Sequence, residues 1–316
     1  MNTKRSSLIL LTYFLAAATA QQTSAQQAGS TSSGLVATGA SVTKLADGFV
    51  FTEGPAVDAD GNVYFSDVRT SKTHKWSVDG ELTTFREPSG NGNGMYFDRD
   101  GKLLVGESGN RQVTRVSMDD GHVTVLADSY DGKKLNSPND LWPDPEGGIY
   151  FSDPRFRDQT GVEQDGHHVY YIPGDGTPVR RVVDDLVAPN GVLGTADGSK
   201  LYVADHGPET GSEMTFVYDI QPDGSLGNRQ LAAPEGSDGM TLDEHGNLYL
   251  TSGGVQVYSP DGEKLASIAV PEQPSNVVFG DRIAKRCLLP REPESIHYGW
   301  RCAANNTAAT YRARVQ

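Results

Sequence analysis

One phrase recurs along this chain, and a chain that repeats a unit this small folds as stacked or radial copies of it. Its fullest statement is SPNDLWPDPEGGIYFSDP, Ser137–Pro154. There a residue able to hold a metal, Asn139, precedes a short apolar run. A turn follows at Asp144 and Gly147, and the chain returns through Ile149, Tyr150 and Phe151 to Ser152 and Asp153. Copies in register are TEGPAVDADGNVYFSD (Thr52–Asp67), NGMYFDRDGKLLVGE (Asn93–Glu107), PNGVLGTADGSKLYVAD (Pro189–Asp205) and SDGMTLDEHGNLYLTS (Ser237–Ser252). A sixth opens at PSNVVFG, Pro274–Gly280, and then breaks off. The period of roughly 40–50 residues is that of propellers and solenoids. Within each copy an Asp-x-x-Gly or Ala-Asp-Gly turn joins two short strands, the pattern of an antiparallel hairpin.

Any one of these Asn-Gly or Asp-Gly pairs, taken alone, is a turn and nothing more. The repetition changes that reading. In register, the copies begin on Glu53, Asn93, Asn139, Asn190, Asp238 and Asn276. If each copy starts with the innermost strand of a propeller blade, these side chains converge at one end of the central channel. Six oxygen-bearing groups around one axis predict a metal site.

The rest of the chain agrees with an all-β reading: 36 Gly, 13 Tyr, many short β-branched and aromatic runs, and no stretch of helical period. Residues 1–20 carry Lys4 and Arg5, the apolar run LILLTYFLAAA and Ala18-Thr19-Ala20, the three-part form of a cleaved export signal. Residues 21–40 read as a flexible leader, 41–282 as the propeller and 283–316 as an irregular tail. An exported protein, periplasmic or secreted, is expected, with no membrane attachment after signal cleavage. The net charge of −14 argues against nucleic acid or anionic membrane as partner and suits a cation-binding protein, although solubility alone would account for it.

Cys287 and Cys302 would ordinarily read as a disulfide in an exported chain. Both lie where the repeat breaks down, in DRIAKRCLLPREPESIHYGWRCAANNTAATYRARVQ. The codons permitted for Gly280 to Ala304, read from each third base, can spell GGPDRKTLFITARTGIYSLRMAVRG. That supplies a turn and the strands KTLFITAR and IYSLRMAV, the missing half-blade. The tail therefore reads as a frameshift product that damages the last blade.

The ligand-bearing copies, in this order, resemble the family of senescence marker protein (regucalcin), gluconolactonases and related lactonases. FTEGPAVD, SPNDLWPDPEGGIYFSDP, PNGV and SDGMTLDEHGNLYL carry the resemblance, which covers about Val42 to Gly280. It implies a six-bladed β-propeller that holds one divalent cation, often calcium, in its channel and hydrolyses sugar or other lactones. By motif, it makes Glu53, Asn139, Asn190 and Asp238 metal ligands, with Asp238 also the catalytic base. Asn93 and Asn276 occupy equivalent places that need not touch the metal. The animal members have an Arg where Ser137 stands, which puts an animal-type sugar contact in doubt.

Two carboxylates with two or more amide oxygens suit calcium, or magnesium or manganese with more bound water. Zinc, a further alternative, normally recruits His or Cys. The histidines show no pair at metal spacing. His206, just after Asp205, stays as a candidate substrate contact, against the plainer reading of a rim histidine. Asp67, Glu107 and Asp153 end second strands and could receive polyol hydroxyls; the rival reading makes them turn residues. Asn93 and Asn276 complete the candidate substrate contacts. Gly106-Glu107-Ser108-Gly109-Asn110 is no nucleophile elbow, and Gly90–Gly94 lacks the helix a phosphate loop requires. The expected function is metal-dependent lactone hydrolysis on a small-molecule lactone. The alternatives are phosphotriester or aryl-ester cleavage at the same site, and a non-catalytic calcium-binding propeller.

Overall fold

The computed structural model describes residues 35–36, 40–156, 158–207 and 211–280, and the backbone of strands 286–289 and 298–301. The repeat phrase folds as expected into hairpins, and its Asp makes the turn. Asp58 Oδ1 accepts from the backbone N–H groups of Asp60 (3.0 Å) and Asn62 (2.8 Å). Asp98 and Asp243 repeat the arrangement in their own copies. Such a side chain closes the turn in place of a backbone acceptor.

Each hairpin is extended by two further strands into a four-stranded antiparallel blade. Blade 1 runs Thr52–Val57, Val63–Asp67, Lys72–Trp76 and Leu82–Arg86. Blade 2 runs Gly92–Phe97, Leu103–Glu107, Gln112–Val116 and Val123–Ala127. Blade 3 is Leu141–Pro143, Ile149–Asp153, His168–Ile172 and Arg180–Val183. Blade 4 is Pro189–Gly194, Lys200–Asp205, Met214–Ile220 and Leu226–Ala233. Blade 5 is Met240–Leu242, Leu248–Thr251, Val255–Tyr258 and Lys264–Ile268.

The structure is an all-β propeller with five such consecutive blades, where the sequence predicts six. The remaining sheet is composite, because the copy that should build it stops after its first strand. Val278–Gly280 pairs with Arg286–Leu289, that strand with Tyr298–Arg301, and the last with Thr43–Lys44 near the other end of the chain. Two stretches of the tail pair as strands, and the rest of residues 283–316, on which the expectation of an irregular tail falls, lies outside the described residues. Cys302, the export signal and nearly all of the leader lie outside the described residues.

Burial explains the architecture. The second strands are buried along nearly their whole length, fully so for VYFSD in blade 1 and IYFSD in blade 3, since each blade is packed on both faces. The core therefore lies between neighbouring blades. Ala56 and Tyr64 meet Met95, Leu103 and Val105 between blades 1 and 2. Tyr150 and Trp142 meet Val192, Leu201 and Val203 between blades 3 and 4. Tyr150 is fully buried and its hydroxyl donates to Gly224 O at 2.8 Å, so the ring gains apolar burial of about 1.5–3 kcal/mol without stranding a polar atom.

Candidate active site

The residues that begin the copies form a closed ring at the head of the channel, and small residues let the inner strands come close enough to make it. Gly54 follows Glu53 with φ of 53°, and a Cβ there would overlap Asn93 O of the next blade. A Cβ on Gly94 would stand 2.6 Å from Asn139 O, and one on Gly191 2.7 Å from Asp238 O. One on Gly239 would overlap the Asn276 side chain. Between blades 3 and 4 the step is made by Ser152, whose Oγ donates to Asn190 O at 2.6 Å. The ring shuts where Asn276 Nδ2 donates to Glu53 Oε2 at 3.0 Å and Ser275 Oγ donates to Thr52 O at 2.7 Å. Glu53, Asn93, Asn139, Asn190, Asp238 and Asn276 are thus brought together in the order the copies predict.

Electrostatics make this ring unlike a packing contact. Glu53 is 2% exposed, and its Oε2 accepts from Gly54 N at 2.7 Å as well as from Asn276. Its Oε1 is buried with no hydrogen-bond partner. Burial, and then the nearby Asp238 carboxylate, hold the Glu53 carboxyl well above the usual carboxylate range. Asn190 Nδ2 donates to Asp238 Oδ1 at 2.7 Å and to His206 Nε2 at 2.8 Å. That use of the amide nitrogen leaves Asn190 Oδ1 buried without a donor, and Asn93 Oδ1 is in the same condition. Buried oxygens left without donors cost free energy, and a hard cation is the ligand that would satisfy several at once. Among the described residues no three His, Cys, Asp or Glu side chains group as metal ligands; the donors here mix carboxylates with amides.

One half-buried acid at the ring was not singled out from the sequence. Asp140 Oδ2 accepts from Val192 N at 3.1 Å and its Oδ1 from Leu141 N at 3.0 Å, tying blade 3 to blade 4. Burial pushes its carboxyl up to about 7. The signal was present: Asp140 occupies the column that holds Gly54, Gly94, Gly191 and Gly239 in the other copies. Beyond the ring the channel continues as a cavity of about 280 Å³ lined by Met95, Val192, Met240 and Val277, with Asp140 at its side.

The acids that end second strands do something else, which corrects the reading of Asp153 as a substrate contact. Asp153 has no exposed surface, and its oxygens accept from Asn136 N and Ser137 N, each at 2.7 Å. Asp67 holds Val50 N and Phe51 N, and Asp205 holds Val187 N and Ala188 N, in the same way. These carboxylates latch the chain that enters each inner strand. Glu107 is buried as well, bonded to Arg86, Thr114, Asn110 and Gln112. His206 lies at the ring, bonded to the Asn190 amide.

Fold and ring together define a β-propeller with a centre of oxygen donors on its axis. Residues 51–288 match the SMP-30/Gluconolactonase/LRE-like region, and the chain belongs to that family. It is 31% identical to the gluconolactonase of Zymomonas mobilis subsp. mobilis over 271 residues, 75% of each chain. A gluconolactonase structure from Xanthomonas campestris superposes with a TM-score of 0.76 at 32% identity, over 83% of this chain and 90% of that one. The diisopropyl-fluorophosphatase of Loligo vulgaris is 24% identical over 270 residues, 75% of this chain and 84% of its own.

Proposed function

We propose that this protein is an exported, metal-dependent lactone hydrolase of gluconolactonase type. The observation that carries the reading is the set of buried, donor-less oxygens on Glu53, Asn93 and Asn190, three residues of the ring. Glu53, Asn139, Asn190 and Asp238 would hold a divalent cation there, calcium by preference for hard oxygen ligands. Bound, it would supply Lewis acidity toward an ester carbonyl.

The chain's own residues supply the rest. Asp238 is partly exposed at the mouth and is oriented by the Asn190 amide. It takes a proton from the attacking water as the water oxygen bonds to the lactone carbonyl carbon. The ring C–O bond then breaks, and the proton passes to the departing alkoxide, giving the hydroxy acid. Asn276 and Gly54 N fix one oxygen of Glu53 and leave the other for the centre. The pattern at residues 1–20 would direct export to the periplasm or beyond.

Asp238→Asn tests this. The amide keeps an oxygen for the cation and cannot accept a proton, so lactone hydrolysis should fall about 10²–10⁴-fold even at saturating calcium. Full recovery at high calcium would reduce Asp238 to a ligand. A second reading, phosphotriester or aryl-ester cleavage at the same ring, is favoured by the similarity to a fluorophosphatase. Assays on those substrates, with and without chelator, separate the two. Metal binding with no turnover of any of them would leave a binding propeller.

A further inference from the structure

A sugar lactone presents several hydroxyls, and a site that selects one needs polar atoms with hydrogen-bonding capacity to spare. The acids at the mouth end of the second strands have been spent. Both oxygens of Asp67 and of Asp153 accept backbone N–H groups. Glu107 Oε1 accepts from Arg86 and Thr114, and its Oε2 from Asn110 and Gln112. Ser137 gives its hydroxyl to Ser108 O at 3.4 Å.

The described rim also exposes apolar side chains. Phe156 is 48% exposed, and its ring meets the His206 ring edge-on, with centroids 5.2 Å apart. His206 in turn bonds the Asn190 amide, so this aromatic wall stands one residue from the ring of oxygens. Val50 and Val187, whose amides the latches hold, are exposed as well. The residue before Phe156 is held in place: Arg155 donates through Nη1 to Asn136 O and through Nη2 to Thr160 O, and Gln159 Nε2 donates to Arg155 O. A pre-set apolar surface beside a polar reacting centre gains affinity by being covered, at little ordering cost.

We infer that this site prefers lactones carrying an apolar substituent over polyhydroxylated sugar lactones, with Phe156 as the side chain that sets the preference. The inference rests on the lactone hydrolysis proposed above and names the substrate class within it.

The test compares δ-octanolactone with D-glucono-δ-lactone, which share a six-membered lactone ring, on the calcium-loaded full chain. The ratio of their kcat/KM values is measured for the wild type, Phe156→Ala and Phe156→Leu. The wild type should favour the alkyl lactone. Phe156→Ala should lower the ratio about five- to tenfold, as expected when roughly 40–60 Å² of the substrate's apolar surface stays in water instead of covering the ring. Phe156→Leu, which keeps an apolar wall, should retain most of the preference. A ratio that Phe156→Ala leaves at the wild-type value overturns the inference while lactone hydrolysis stands. Hydrolysis of neither lactone by the loaded wild type overturns the lactonase reading and this one with it.

Discussion

Asn276 tests whether the ring is held shut by chemistry at its centre. Its amide donates to Glu53 Oε2 at 3.0 Å across the junction between the last and first inner strands, beside the Ser275 Oγ to Thr52 O bond. Asn276→Ala removes a buried donor to a carboxylate, worth about 1.5–3 kcal/mol. For a domain of this size that corresponds to a fall in Tm of about 3–12 °C. Thermal and urea unfolding in chelator would measure it.

Protonation adds a second signature. Burial and Asp238 raise the Glu53 carboxyl above its ordinary 4.5, and the Asn276 hydrogen bond opposes them. A carboxyl raised in the folded state binds its proton more tightly folded than unfolded. Metal-free stability attributable to Glu53 is therefore fully present below 4.5 and is lost as pH rises through the folded-state value. Without Asn276 that loss should extend to higher pH. Asn276→Asp should be worse than alanine in chelator, since it sets a second carboxylate against Glu53, and should recover with calcium. An Asn276→Ala protein with wild-type Tm in chelator and an unchanged pH profile would refute the reasoning.

Calcium binding should release protons as Glu53 ionises, more at lower pH; calorimetry in buffers of different ionisation enthalpy reads this directly. Gly54→Ala should cost roughly 2–4 kcal/mol in urea unfolding, from a left-handed φ and the overlap with Asn93 O. Restoring the alternative reading frame after Gly280 should raise Tm and soluble yield, and resequencing the coding DNA across Val278 to Arg291 checks the premise.

Blades, turns and the ring of six were legible because each rests on local chemistry repeated in register. An Asp that caps its own turn and an alternation that buries a hairpin need no distant partner, and Asp58, Asp98 and Asp243 behave alike for that reason. The functions of Asp153 and His206 were not legible. Asp153 closes on amides 16 and 17 residues away, and His206 on an amide 16 residues away, in partnerships that exist only once strands are paired. Asp140 was hidden differently: it sits beside Asn139 in a recognisable motif, yet its bond runs to Val192 in the next blade, 52 residues on.

The sequence by itself determined the repeat, the all-β class and the family resemblance, because strand alternation and turn chemistry act over a few residues. Only the tertiary structure decided which of those oxygens are left without donors, which acids are consumed as latches, and that an exposed phenylalanine stands beside the ring. Hydrogen-bond satisfaction and burial are properties of groups brought together from different blades, and no single copy contains them.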